Sequence, residues 1–117
     1  MYYRTRGKSK YGNQKTIVDG ITFDSRKEAR RYSELKLLQK AHKIYDLQRQ
    51  VRYELQPKFR DMDGNVVQGI YYVADFTYFK DGVKIIEDVK SEATRKDKVY
   101  LLKKKMMAYK GYKITEV

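Results

Sequence analysis

The spacing of apolar and polar residues divides this chain into strand-like and helix-like segments. Strands are predicted where β-branched and aromatic residues alternate with polar ones, and helices where apolar residues recur every three or four positions. The predicted elements are, in chain order, a hairpin at 16–23, a helix at 26–42, a strand at 44–56, a turn at 61–65, a hairpin at 72–90, a helix at 94–109 and a strand at 112–117. After the first hairpin the order is helix, three strands, helix and strand, which predicts a layered α/β domain.

The limits of the elements come from capping and turn residues. Asp24 or Ser25 is suited to cap the first helix, and Glu28 follows Ser25 by three positions, as in a capping box. Pro57 is the only proline and ends the strand before it, while Gly111 suits the end of the second helix. The apolar residues of the first helix do not form one narrow stripe, which predicts that it packs on more than one side.

The second hairpin holds the most informative residues of the chain. Asp81-Gly82 lies between two β-rich runs and is a strong signal for a two-residue turn. In that register Asp75 lies directly opposite Asp88, with Cβ atoms about 4.5–5.5 Å apart, where like charges are destabilising. Lys90 is two residues beyond Asp88 and therefore shares its face of the sheet. The pairing predicts a cation between the two carboxylates.

A three-residue turn would change this assignment. A bulge at Gly82 would place Glu87 opposite Asp75 and would turn Lys90 away from the pair. In the two-residue register Glu87 points to the opposite face. Asp88 is therefore the preferred ligand, and Glu87 is the reserve.

Two carboxylates and a lysine on one sheet face suit phosphodiester hydrolysis. Carboxylate oxygens bind Mg²⁺, which usually keeps several waters and bridges to a substrate phosphate. The metal polarises the phosphoryl oxygen, and a nearby lysine orients or deprotonates the attacking water, or offsets developing charge. The simpler alternative is that Asp75 only forms a structural ion pair with Lys90.

The charge balance favours a polyanionic partner. Lys and Arg number 27 against 15 Asp and Glu, giving a formal net charge of +12 over 117 residues, and this predicts nucleic acid binding. Without cysteine, thiolate metal sites, disulfides and cysteine nucleophiles are excluded. The single histidine, His42, excludes mechanisms that need two and is most simply structural or solvated. Neither a signal peptide nor a membrane-spanning run is visible, so a cytoplasmic location without a membrane partner is expected.

Basic residues concentrate in two segments that are candidates for phosphate contact. One is a basic arm at 1–15, predicted to be flexible, in which tyrosines are interleaved, and the other is the second predicted helix. The candidate nucleic-acid-binding residues are Arg4, Arg6, Lys8, Lys10, Arg95, Lys96, Lys98, Lys103 and Lys104. The alternative for both segments is a solvated, charged surface with no specific role.

Asp75, followed thirteen positions later by Asp88-Val89-Lys90, resembles the signature of the PD-(D/E)XK nuclease superfamily. The resemblance covers 25–117 and implies a restriction-endonuclease-like core of helix, three-stranded meander, helix and strand. The segment at 23–29 is also similar to phage-encoded members. Many members add a glutamate from the first helix as a metal ligand, which implies Glu28 here, with Glu34 in reserve. Position 74 is alanine where the motif's name has proline.

The resemblance implies a metal-dependent endonuclease that hydrolyses DNA with Mg²⁺ or Mn²⁺ and needs no small-molecule cofactor. Residues 16–117 would form one nuclease-like domain. Small basic members include Holliday-junction resolvases, which implies branched DNA as substrate, a homodimer, and activity inside a phage-infected host cell. Two alternatives stay open: a non-catalytic nucleic-acid-binding protein, and a nuclease-accessory protein with a vestigial site. Gln48 and Gln50, on the strand after the first helix, are further residues that the fold can bring near the site.

Overall fold

A computed structural model describes residues 14–117 of this chain, and the candidate residues Arg4, Arg6, Lys8 and Lys10 lie outside that range. The elements within it are β1 (Thr16–Val18), β2 (Ile21–Phe23), α1 (Arg26–Lys40), β3 (Tyr45–Gln56), β4 (Phe59–Arg60), β5 (Val66–Val67), β6 (Ile70–Lys80), β7 (Val83–Asp88), α2 (Glu92–Arg95), α3 (Lys98–Tyr109) and β8 (Ile114–Glu116). The fold is mixed α/β, as predicted. The small hairpin β4–β5 surrounds the segment that the sequence predicted only as a turn.

The main sheet has the strand order β3-β6-β7-β8. β6 is antiparallel to both β3 and β7, whereas β8 runs parallel to β7. Asp81 and Gly82 join β6 to β7 with φ angles of 50° and 78°, the positive values that a type I′ turn requires. The predicted two-residue turn is therefore confirmed, because Lys80 pairs directly with Val83.

α1 begins and ends with local hydrogen bonds. The Ser25 hydroxyl accepts a hydrogen bond from the backbone N–H of Glu28 at 3.1 Å, so Ser25 is the N-cap. At the other end, His42 has a left-handed φ of 61° and donates its backbone N–H to the Gln39 carbonyl at 3.0 Å. The helix ends at Lys40, and the side chain of His42 is exposed, in agreement with the structural or solvated residue expected there.

The second predicted helix is not continuous, and the prediction of one helix over 94–109 is wrong. The Asp97 side chain accepts the backbone N–H of Tyr100 at 3.0 Å, which starts a new helix at that point. The backbone of Asp97 is extended, with φ −60° and ψ 127°, so the helical ladder cannot pass through it. Gly111 has φ 94° and ends α3, in agreement with the sequence.

Two buried clusters hold the helices on the sheet. The first joins α1 to the sheet and contains Phe23, Ala29, Tyr32, Leu35, Ile44, Phe76 and Tyr78. The second surrounds α3 and contains Leu55, Tyr72, Ala74, Ile86, Tyr100, Met107 and Ile114. The buried residues of α1 form one stripe and Leu37 is 68% exposed, while the helix contacts both the β1–β2 hairpin and β3 of the main sheet, as expected for packing on more than one side. No helix within residues 14–117 is long and apolar enough to cross a membrane.

Candidate active site

Polar residues form a row across the four strands of the main sheet. Phe76 pairs with Glu87 in the β6–β7 ladder, and one step further along that register Asp75 lies opposite Asp88. On the other side of β6, Gln50 lies opposite Asp75, since its two neighbours in β3 pair with the neighbours of Asp75. Asp88 also pairs with Glu116 of β8. The strand register therefore brings together the two aspartates that the sequence singled out.

Hydrogen bonds fix both aspartate carboxylates. Asp75 accepts the backbone N–H of Val89 at 2.9 Å through Oδ2. Asp88 is 3% exposed and accepts the Tyr72 hydroxyl at 2.8 Å through its own Oδ2. Lys90 Nζ lies 3.4 Å from the same oxygen. Lys90 therefore pairs with Asp88, whereas the sequence alternative was a structural ion pair with Asp75.

The surroundings of Asp75 and Asp88 disfavour the ionised form of both carboxyl groups. Burial raises the pKa of Asp88 to about 7, and the hydrogen bond and negative charge of Asp75 raise it as well. Burial likewise raises the pKa of Asp75, with a smaller contribution from the charge of Glu28. Lys90 opposes both shifts but does not cancel them. Burial and the neighbouring carboxylates therefore outweigh the stabilising charge of Lys90 at both aspartates.

Glu28 lies beside this pair at the start of α1. It is buried, and burial followed by the charge of Asp24 raises the pKa of its carboxyl group. Gln50 Nε2 spans the two elements, lying 3.5 Å from Glu28 Oε2 and 3.4 Å from Asp75 Oδ1. Gln50 has φ 52°, a strained value for a non-glycine residue in a strand. Gln48 does not reach the site, because its amide contacts Asp46 at 3.1 Å.

An open pocket of about 380 Å³ lies between the first turn of α1 and the helices α2 and α3, and it is lined by Glu28, Asp75, Asp88 and Lys90. Apart from the carboxylates, its walls include Ser25, Val73, Val99 and Lys103. The volume is at the lower end of typical ligand pockets, and it accommodates a phosphate group with its surrounding waters.

The segment after β7 that carries Lys90 is held on three sides. The Lys90 backbone N–H donates to the Val117 carbonyl at 3.0 Å, and the Val117 backbone N–H donates to the Asp88 carbonyl at 3.0 Å. Lys27 Nζ from α1 donates to the Lys90 carbonyl at 2.7 Å. The Lys90 ammonium lies 4.0 Å from the centre of the Tyr100 ring. The position of this lysine is thus set by both the sheet and the helices.

The reserve residues Glu87 and Glu34 are not brought to the pocket. Arg31 of α1 binds Glu87 through two hydrogen bonds, Nε to Oε1 at 2.8 Å and Nη2 to Oε2 at 2.7 Å. The same guanidinium group contacts Glu34 at 3.0 Å. Glu87 therefore forms a structural ion pair on the α1 side of the sheet, and the preference for Asp88 at the pocket agrees with this geometry.

Replacing Arg31 by methionine is expected to lower the free energy of unfolding by about 3–5 kcal/mol, because Glu87 would stay buried without its ion partner. Glu87 is 1% exposed, so water cannot replace the guanidinium. Urea unfolding of the purified variant measures the effect. Glu34→Ala is the matched control, since it removes the half-exposed partner of Arg31 and should change stability by less than about 1 kcal/mol. Equal small effects of both substitutions would contradict this assignment.

The basic candidates on α2 and α3 fall into three groups. Lys103 lines the pocket. Arg95 and Lys104 both contact Glu116, at 3.6 and 3.0 Å, so part of their charge is balanced within the protein. Lys96 and Lys98 are exposed on either side of Asp97, which also lines the pocket. These positions leave positive charge close to the mouth of the pocket.

Three residues that contact the Asp88–Lys90 segment escaped the sequence analysis: Lys27, Tyr72 and Tyr100. No local sequence pattern identifies a tyrosine or lysine of this kind. Within residues 14–117, no three His, Cys, Asp or Glu side chains form a group arranged to hold a metal ion.

The fold and the pocket define a mixed α/β protein in which a half-buried aspartate, a buried aspartate and a lysine line one pocket beside the sheet. The chain belongs to the family described as a protein of unknown function, DUF1064, whose profile matches residues 8–117. No curated protein and no solved structure gives a significant match.

Proposed function

We propose that this protein is a divalent-cation-dependent endonuclease of the PD-(D/E)XK type that hydrolyses DNA phosphodiester bonds. The observation that carries the proposal is the placement of Asp75 opposite Asp88 on adjacent strands, with Lys90 Nζ 3.4 Å from the second carboxylate. In the main sheet the strands β3, β6 and β7 follow α1, and β8 follows α3; this order supports a restriction-endonuclease-like core once the small β4–β5 hairpin and the short helix α2 are treated as insertions.

The residues of the pocket fit Mg²⁺ or Mn²⁺. Mg²⁺ is commonly held by one or two carboxylates together with waters and substrate phosphate, so a complete protein cage is not required. Asp75 and Asp88 would hold the ion, with Glu28 as a further ligand. All three carboxyl groups have raised pKa values, and a divalent cation would relieve the penalty of burying their charges. When bound, the ion supplies Lewis-acid polarisation of the phosphoryl oxygen and lowers the pKa of a coordinated water.

The remaining chemistry belongs to side chains of this protein. Lys90 is placed to orient the attacking water and to balance the negative charge that develops on the phosphoryl oxygens. Tyr72 and the backbone N–H of Val89 hold the two aspartates in fixed orientations. Glu28 lines the same pocket as the two aspartates.

DNA is the substrate that the charge of the chain supports best. The net charge of +12 attracts a polyanion, and Lys103 brings positive charge into the pocket wall. Lys96 and Lys98 extend the same charge over the adjoining surface, where a phosphate backbone would lie. A homodimeric state and a preference for branched DNA stay predictions that rest on the resemblance.

Purified protein incubated with supercoiled plasmid and with a four-way DNA junction tests the proposal. Cleavage is expected with Mg²⁺ or Mn²⁺ and should stop when EDTA is added, because the cation is required for catalysis. Asp75→Asn, purified in the same way, is the control against a contaminating nuclease and should leave the DNA intact. If the protein binds DNA but does not cleave it with either metal, the proposed nuclease activity is overturned. The alternative of a non-catalytic nucleic-acid-binding protein is then favoured.

A further inference from the structure

The ammonium group of Lys90 contacts an aromatic ring as well as a carboxylate. On one side lies Asp88 Oδ2, at 3.4 Å, and on the other the ring of Tyr100, whose centre is 4.0 Å from Nζ. Tyr100 is 7% exposed and belongs to the second buried cluster. A cation within about 6 Å of a ring face is attracted by the ring quadrupole, and the attraction is stronger when water is excluded.

Tyr100 is held both at its backbone and at its hydroxyl group. The Tyr100 backbone N–H donates a hydrogen bond to Asp97 Oδ2 at 3.0 Å in the first turn of α3. Its hydroxyl donates to Glu116 Oε2 at 2.5 Å, and Lys104 Nζ binds the same oxygen at 3.0 Å. The Tyr100 hydrogen bond is the largest of the influences that lower the pKa of Glu116, so this carboxylate stays ionised as an acceptor. The ring therefore has little freedom to move away from the lysine.

An aromatic ring suits the task of holding a catalytic lysine. A lysine side chain has four flexible carbons, so its ammonium group occupies one position only when neighbouring groups restrict it. A second carboxylate would restrict it but would also neutralise the charge needed at the phosphate. The face of a tyrosine attracts the ammonium without accepting its hydrogens, which stay available to the substrate.

We propose that Tyr100 is a positioning residue that holds the Lys90 ammonium beside Asp88, and that Glu116 and Lys104 fix its ring through the hydroxyl. This role rests on the proposed nuclease activity and adds to it a residue outside the motif. The expected consequence is a requirement for the ring at position 100, with a smaller requirement for the hydroxyl.

Tyr100→Leu removes the ring, whereas Tyr100→Phe keeps it. The single-turnover rate of Mg²⁺-dependent plasmid cleavage should fall about 10–100-fold in Tyr100→Leu and stay within about threefold of the parent in Tyr100→Phe. DNA affinity measured in EDTA should change by less than about twofold in both, because the charge of Lys90 is retained. Tyr32→Leu is the matched control, as Tyr32 is a buried tyrosine whose ring lies 5.7 Å from Lys36 Nζ, in the cluster around α1.

Proton NMR of lysine-labelled protein gives a readout that does not need activity. The Lys90 side-chain protons should be shifted upfield by the Tyr100 ring, and the shift should persist in Tyr100→Phe and vanish in Tyr100→Leu. If Tyr100→Leu does not fold, Tyr100→Met removes the ring while filling the space and carries the same expectation.

Three results would overturn the inference in distinguishable ways. Undiminished cleavage by Tyr100→Leu would show that the ring is not needed while leaving the nuclease proposal intact. An unshifted Lys90 signal in the parent would show that the contact is absent in solution. If the parent protein does not cleave DNA but its Lys90 protons are shifted upfield, the nuclease proposal is wrong. The contact between Lys90 and Tyr100 then has no catalytic role.

Discussion

Lys90→Ala is expected to lower the rate of Mg²⁺-dependent DNA cleavage about 10²–10⁴-fold, the range typical for loss of a positioned proton-transfer or charge-balancing group. The Lys90 ammonium lies 3.4 Å from Asp88, and the residue lines the pocket. Single-turnover cleavage of supercoiled plasmid at saturating protein measures the effect.

Lys84→Ala is the control for this prediction. Lys84 lies on β7, six residues before Lys90, and its ammonium group also contacts a ring, that of Phe79, at 4.8 Å. Both substitutions remove one positive charge, so they should weaken DNA binding equally while only Lys90→Ala loses cleavage. Equal cleavage by the two variants would contradict the role of Lys90.

Asp88→Asn is expected to stabilise the metal-free protein and to abolish its stabilisation by divalent cations. Folding raises the pKa of Asp88 from its usual 3.8 to about 7, so wild-type stability falls as the pH rises through that interval and stays reduced above it. Asparagine carries no charge to bury and still offers an oxygen to Tyr72. At pH 8 in EDTA the variant should gain on the order of 2–4 kcal/mol, and the gain should fade towards pH 3.8.

Added Mg²⁺ or Mn²⁺ should offset most of this difference, because only the wild type binds the cation. A cation at about 100 times its Kd stabilises the wild type by about 2.7 kcal/mol and raises Tm by about 5 °C or more, whereas the Tm of Asp88→Asn should not move. Glu87→Gln is the neighbouring control: it should destabilise the protein in EDTA, because the Arg31 ion pair is lost, yet retain the rise with cation. A cation-dependent rise in Asp88→Asn equal to that of the wild type would exclude Asp88 as a ligand.

The sequence predicted the hairpin and the aspartate pair because both depend on short-range rules. Asp81-Gly82 favours a two-residue turn through backbone conformations that few other pairs adopt. Once that turn is set, side-chain alternation along the two strands fixes the position of each later pair. Asp75 and Asp88 lie opposite each other for this reason, and Glu87 lies on the other face.

The features that the sequence did not predict depend on packing between distant segments. Arg31 and Glu87 are 56 residues apart, and nothing local indicates that they pair. The interruption before α3 arises because Asp97 caps a new helix, although the surrounding residues are compatible with a continuous one. The ring of Tyr100 reaches Lys90 only after α3 packs on the sheet, and apolar spacing alone cannot indicate which residue meets a catalytic group.

Anomalous diffraction from crystals soaked in Mn²⁺ tests the central claim most directly, since that claim is a divalent-cation site between Asp75 and Asp88 beside Lys90. The account predicts an anomalous peak within coordination distance of both aspartate carboxylates, on the side of the pocket that Glu28 faces. A peak on Glu87, or an empty aspartate pair at saturating Mn²⁺, would contradict it.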